Sequence, residues 1–211
     1  MKAIFHFSRG HQKPWGRSAV ALTLALSLAA CNPTSEEWSL YDVKGHVPDL
    51  RFSLSAAGGR TMTEADVAGK TVLMFFGYAS CPDVCPTTMA QLNEVMTRLG
   101  DDAGRVRIMF VSVDPHRDTP DMLQAYVNAF SPNAIGLTGT ERQVADLARR
   151  YRVAYQIEKP RAGDEDDVYD VTHSRGIYVF DKDGRARLLA SDSESVDALT
   201  HDLKQLLAQA S

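Results

Sequence analysis

Apolar and polar positions change their spacing along this chain in blocks, and each change marks an element. Residues 48–54 alternate through Leu50, Phe52 and Leu54, and Gly58-Gly59 then turns the chain, which predicts a hairpin. After a second turn at Ala68-Gly69-Lys70, residues 71–76 are an apolar run typical of a central strand buried on both faces. Over 86–99 the residues Met89, Leu92, Val95, Met96 and Leu99 recur at helical spacing, and Gly100 closes the helix. Residues 106–113 predict another buried strand. Asp118 or Thr119 caps a helix with Pro120 in its first turn, running to near Phe130. A short strand is expected at 135–138, a helix at 140–151 and a strand at 153–157. Residues 159–170 read as an acid-rich loop, 176–180 as a strand, Asp183-Gly184 as a hairpin turn and 185–190 as its partner. Ser193 or Ser195 opens a final helix reaching Leu207. Strands alternating with helices, then a closing hairpin and helix, predict an α/β fold: a mixed sheet flanked by helices, with an N-terminal hairpin extension. No internal repeat or second domain is visible, so residues 46–211 are taken as one domain.

The N-terminus follows a different rule. Lys2, Arg9, Lys13 and Arg17 precede an apolar run over 19–30, and no acid occurs before Glu36. A basic start before an apolar run too short for a good membrane span is the pattern of an export leader. The run ends in Leu28-Ala29-Ala30-Cys31, which resembles a bacterial lipobox. That resemblance implies a lipoprotein signal peptide over 1–30, with Cys31 as the lipidated mature N-terminus on the periplasmic side of a bacterial membrane. A plain signal peptide or an uncleaved anchor would export the domain equally. Residues 31–45, polar and aperiodic, read as a membrane-proximal tether. The whole chain has 23 Lys and Arg against 27 Asp and Glu. The leader holds four of those bases and no acid, so the remainder has 19 against 27 and a formal charge of −8. With no basic stripe either, such a surface argues against nucleic acid as a partner.

With Cys31 given to lipid, only Cys81 and Cys85 remain, which in an oxidising compartment is one functional pair and not a disulfide framework. They lie in Phe75-Phe76-Gly77-Tyr78-Ala79-Ser80-Cys81-Pro82-Asp83-Val84-Cys85-Pro86. The apolar strand is expected to end in a tight turn at Gly77, and Pro86 reads as the first helical residue. Residues four apart near a helical first turn share a face, so the two sulfurs can meet one ion or each other. The unpaired N–H groups and positive dipole end of a helix start favour thiolate, the form that ligates metals and attacks disulfides. Soft sulfur ligands select copper(I), zinc or iron–sulfur clusters. Pro82, Asp83 and Pro86 make this loop poor core material, against a reading of both cysteines as small packed hydrophobes.

An imidazole beside two thiolates suits either copper oxidation state. After the leader the candidates are His46, His116, His173 and His201. His46 falls in the tether region, His116 follows Asp114-Pro115 at a strand end, and His201 lies on the last helix. His173 ends the acidic loop at the mouth of a strand, where thiol redox folds usually carry a cis-proline beside their cysteines, so it can reach the pair. Asp83 can accept a proton, contact a partner or be a solvated turn residue, the last being the plainer reading. Asp114, at the C-terminal end of its strand, is expected near the site in a supporting role. The acidic loop reads as a solvated face, and Met74, Met89, Met96, Met109 and Met122 as packing residues.

The cysteine stretch, Val111-Ser112-Val113-Asp114-Pro115-x-Arg117-Asp118-Thr119-Pro120, and His173-Ser174 before a strand together resemble the Sco/SenC family. The resemblance runs over residues 48–207. It implies a thioredoxin-like, membrane-tethered copper chaperone for the binuclear copper site of cytochrome c oxidase, with Cu(I) or Cu(II) held by Cys81, Cys85 and His173. The implied partners are the copper-site subunit of that oxidase or another periplasmic copper protein, with the chaperone itself a monomer. Two places depart from the family pattern. Ala79-Ser80 stands where a Thr and an aromatic or basic residue are common. Thr172 stands where Asp is frequent, which takes away an acceptor beside a ligand and not a ligand.

A metallochaperone is the first functional expectation, and a thiol–disulfide oxidoreductase using the same pair on a client's cysteines is the second. Three residues between the cysteines, where such reductases have two, and His173 in place of a proline favour the first. A peroxiredoxin-type enzyme expects a Pro-x-x-x-Thr-x-x-Cys setting, which neither Cys81 nor Cys85 has. Chaperone and reductase are compatible roles, because cysteines must be reduced before they take copper.

Overall fold

The structure is a computed structural model that describes residues 37–158, 169–191 and 195–209. The leader, Cys31, the acidic stretch 159–168 and Ser193 lie outside the described residues. From Trp38 onward the chain forms one compact unit.

In chain order the strands and helices are β1 (Tyr41–Asp42), β2 (Ser53–Ala56), β3 (Arg60–Thr63), β4 (Thr71–Gly77), α1 (Val84–Leu99), β5 (Val106–Ser112) and α2 (Pro120–Asn128). They continue with β6 (Ala134–Leu137), α3 (Glu141–Arg150), β7 (Tyr155–Ile157), β8 (Val171–His173), β9 (Ile177–Phe180), β10 (Ala186–Ala190) and α4 (Val196–Gln209). The main sheet has the order β1-β10-β9-β4-β5-β6. Strands β4, β5 and β6 are parallel, whereas β9 runs antiparallel to β4 and β10 antiparallel to β9. This is the expected mixed sheet. Every residue of β4 is buried, as its unbroken apolar run requires of a strand covered on both faces.

Helix boundaries follow local chemistry. Thr119 caps α2 by accepting from the Met122 N–H, with Pro120 in the first turn. Thr140 and Gln143 form a reciprocal capping box at the start of α3. The predicted hairpin is β2–β3, its first strand lying at Ser53–Ala56 and not over 48–54, and its connection carries Gly58 and Gly59 at φ 71° and 70°, a backbone region that side chains disfavour. A bridge between Ser55 and Thr138 ties it to the end of β6.

Three local expectations change. Helix α1 starts at Val84, with Asp83 at its N-cap, so Pro86 is its third residue. Proline is tolerated there because the first four helical N–H groups have no partner within the helix. Gly77 is the last residue of β4, in register with Ser112, and not a turn. The stretch read as tether is partly folded: β1 pairs with β10, Leu40 is buried, and Asp202 accepts from the N–H groups of Ser39 (3.1 Å) and Leu40 (2.8 Å). A two-residue strand has no periodicity to detect, and its anchor is a carboxylate on α4, remote in sequence.

Candidate metal centre

Cys81 lies in the loop between β4 and α1, and Cys85 is the second residue of α1. The Cys85 N–H, one of the unpaired donors of a helix start, points at the Cys81 sulfur at 3.4 Å. Both cysteines are free, Cys85 fully buried and Cys81 half-buried. Gly77 matters through space: a Cβ there would lie 2.8 Å from Cys85 Sγ and 3.0 Å from the Phe110 ring. The backbone at Gly77 therefore forms one wall of the cysteine pocket.

His173 closes β8, which pairs with β7 in a small two-stranded sheet of its own. Its Nε2 lies 3.5 Å from Cys85 Sγ, and its Nδ1 lies 2.9 Å from the Ser174 carbonyl. That carbonyl can only accept, so Nδ1 carries the proton and the Nε2 lone pair faces the sulfurs, the tautomer a metal ligand needs. The backbone thus supplies the acceptor that Thr172, exposed on the same strand, does not. The rings of Phe75 and Tyr78 meet the imidazole edge to face at 5.9 and 6.0 Å. Among the described residues, the donor atoms of Cys81, Cys85 and His173 form a cluster in which all lie within 4.8 Å of one another.

The two thiols are electrostatically unlike. Burial pushes Cys85 far up, and the neighbouring Cys81 and Asp118 add to this. Burial also acts upward on Cys81, but the backbone N–H groups of Cys85 and Asp83, the Cys85 thiol and the Tyr78 hydroxyl outweigh it and lower its pKa. Tyr78 in turn is raised to about 12, by burial first and then by Cys81. His173 is lowered, chiefly by burial, against the bond to Ser174. Cys81 is the readier thiolate, and His173 is a neutral base at neutral pH.

The other named residues divide. Asp83 is exposed at the N-cap of α1 and makes no capping bond. Asp114 is fully buried, paired with Arg117 and bonded by the Tyr169 hydroxyl at 2.7 Å. His116 pairs with Glu141 at 2.8 Å, His201 with Asp202 at 2.9 Å, and His46 is exposed, so none of the three joins the cysteines. Met122, read as packing, is instead 54% exposed. Sequence reading missed Tyr78, Arg117 and Tyr169, and gave Asp118 only a capping role. Asp118 accepts from the Ser112 hydroxyl at 2.6 Å and from the Ala79 N–H at 3.0 Å, and so holds the cysteine loop to the end of β5. Its burial raises its pKa, against the pull of those two bonds. The available signal was an Asp-Pro-x-Arg-Asp cluster directly after a buried strand.

The SCO1/SenC family model matches residues 44–208. The chain belongs to the SCO1/SenC family. It is 38% identical over 159 residues to the bovine (Bos taurus) mitochondrial SCO2 homolog, covering 74% of this chain and 59% of that protein. It thus spans about three fifths of the length of the mitochondrial relative. It is 32% identical over 166 residues to the SCO2-like protein RP587 of Rickettsia prowazekii, covering 78% of this chain and 80% of the relative. The copper-bound ScoI structure of Bradyrhizobium japonicum superposes with a TM-score of 0.67 at 35% identity, covering 76% of this chain and 99% of that one. The fold is that of the thioredoxin-like Sco proteins, as the resemblance implied.

Proposed function

We propose that this SCO1/SenC protein is a copper chaperone held on the periplasmic side of a bacterial membrane through lipidated Cys31. Its client is the binuclear copper site of cytochrome c oxidase or another periplasmic copper protein. Copper is cargo here, taken by Cys81, Cys85 and His173 and passed on by exchange with a client's thiolates. The observation that carries the reading is the convergence of two thiols and an oriented imidazole within 4.8 Å. The donor set is soft enough for copper(I), and its imidazole also accommodates copper(II). The likeness to a copper-bound ScoI supports the same choice.

Titrating the reduced protein with copper, with Cys81, Cys85 and His173 each replaced by alanine, tests it. Each replacement should weaken binding by more than about tenfold, or ~1.4 kcal/mol. Unchanged affinity in all three would overturn the assignment. Mass spectrometry of the membrane form should find an acylated Cys31 as its first residue, with two or three chains because one anchors only marginally. An intact Met1 would refute the anchor.

A second reading, thiol–disulfide oxidoreductase, draws on the asymmetry of the pair. A half-buried, readily ionised Cys81 beside a buried, protonated Cys85 is the arrangement of an attacking and a resolving thiol. The His173→Ala protein separates the two. Lost copper with intact disulfide reduction favours the chaperone, and the converse favours the reductase.

A further inference from the structure

His173 reaches the cysteines from a strand that the main sheet does not hold. Among the described residues, strand β8 pairs with no strand but β7, a three-residue partner. After His173 the chain is tied to Ala154 by three bonds: Ser174 N–H to the Ala154 carbonyl at 2.8 Å, Ala154 N–H to the Ser174 hydroxyl at 3.0 Å, and that hydroxyl to the same carbonyl at 3.3 Å. Before it, the β7–β8 pairing runs out with the Glu158 N–H donating to the Asp170 carbonyl at 2.8 Å, and the next anchor is Tyr169, which Arg117 grips. The guanidinium carbon lies 3.8 Å from the centre of the Tyr169 ring, and Nη1 donates to the Tyr169 carbonyl at 3.0 Å. Nε pairs with Asp114, which is fully buried and accepts from the Tyr169 hydroxyl at 2.7 Å. Ring, carbonyl and hydroxyl of one tyrosine are therefore all held by the Asp114–Arg117 pair.

Arg117 also reaches the other half of the site. Its guanidinium lies 5.6 Å from the centre of the Tyr78 ring. Tyr78 packs edge to face on the His173 imidazole at 6.0 Å, and its carbonyl accepts from the Cys81 N–H at 3.3 Å. Only 15% of the Arg117 side chain is exposed. We propose that Arg117, held by Asp114 between Tyr78 and Tyr169, is a positioning residue that keeps the His173 strand in register with the cysteine loop. It touches no cargo. A planar guanidinium can stack on rings while donating sideways to a carboxylate and a carbonyl, which a lysine ammonium cannot do. The two ligand-bearing segments, far apart in sequence, are joined through one side chain.

The proposal rests on the copper reading for its consequence and not for its geometry, so the test has a metal-free arm and a copper arm. In the reduced, metal-free full chain, the His173 ring protons are shifted by the Phe75 and Tyr78 rings, and NMR reads that shift. Arg117→Ala should average it toward the value of a free histidine. With copper, Arg117→Ala should weaken binding by about tenfold in the wild-type background and less than about twofold in a His173→Ala background, because the two residues act in series. Arg117→Lys keeps a charge beside Asp114 but not the stacking, and should follow the alanine variant. Tyr169→Phe, which removes one hydroxyl bond, should shift the ring signals less in the same direction, and it decides the matter if Arg117→Ala does not fold. Unmoved His173 signals in the Arg117 and Tyr169 variants, additive copper losses, or full rescue by lysine would each overturn the proposal. A wild-type chain that binds no copper would sink the chaperone reading and leave the ring-shift result to stand or fall by itself.

Discussion

Replacing Gly77 with alanine adds one methyl group at the end of β4, where it would lie 2.8 Å from Cys85 Sγ and 3.0 Å from two carbons of the Phe110 ring. Ordinary contact between such atoms begins at roughly 3.5–4.0 Å, so the sulfur or the strand must retreat by about an ångström. Neither moves easily. Cys85 is fully buried in α1, Phe110 is fully buried in β5, and Gly77 is hydrogen-bonded into the β4–β5 register opposite Ser112. The backbone there is not in the left-handed region, so alanine removes unfolded-state freedom, which alone would stabilise by about 0.4–1 kcal/mol. Overpacking of a filled core costs about 1–3 kcal/mol, leaving a net loss of about 1–2 kcal/mol. Urea or thermal denaturation of the reduced protein measures that loss. The same displacement moves Cys85 Sγ against His173 Nε2, now 3.5 Å away, so copper affinity should fall by about tenfold or more. A partner variant, Phe110→Leu with Gly77→Ala, opens space on the ring side only and should recover stability more than affinity. If Gly77→Ala were as stable as the parent and bound copper equally well, the claim that this glycine leaves room for the sulfur would be wrong.

The two thiols should react at different rates. At pH 7 an alkylating reagent should modify Cys81 at least about tenfold faster than Cys85, as peptide mass spectrometry would show, and equal rates would contradict the asymmetry. Burial holds His173 below its ordinary 6.5, so the unfolded chain takes up a proton before the folded one does. Its contribution to stability is therefore complete above pH 6.5 and is lost as pH falls through the lowered folded value. Denaturation measured from pH 7.5 to 5 should show this slope in the metal-free parent, and His173→Gln should flatten it; a parallel slope in the variant would assign it elsewhere. Asp202→Ala should strip the acceptor from the N–H groups of Ser39 and Leu40 and cost about 1–3 kcal/mol, against no loss if β1 pairing alone held the segment.

Much of this architecture is local information. The uninterrupted apolar run of β4 is legible as a central strand because only burial on both faces suits it. The α1 stripe from Met89 to Leu99 and the caps Thr119 and Thr140 are legible because they obey the 3.6-residue period and the demand of unpaired N–H groups. Cys81 and Cys85 four apart at a helix start announce their shared chemistry for the same reason. His173 was legible by elimination and by likeness to a family, not by any local pattern. Its distance from Cys85, its tautomer and its lowered pKa are set by Ser174, Phe75, Tyr78 and burial, and belong to the tertiary structure alone.

Other features had no local signal at all. Strand β8 is three residues long and alternates with nothing, Tyr169 falls in the stretch read as a solvated loop, and β1 looks like tether; Asp114 was expected near the site, but its pairing with Arg117 was not. Gly77 was expected as a tight turn, whereas the structure needs it for the volume it leaves empty. Period and capping are consequences of covalent geometry within a few residues, and one sequence suffices to express them. The reach of Arg117 to Tyr169, of Asp202 to Leu40 and of a missing Cβ to Cys85 depends on which surfaces the packed sheet brings together. Only the folded chain decides that, because the energy of each contact exists only after the intervening residues have closed.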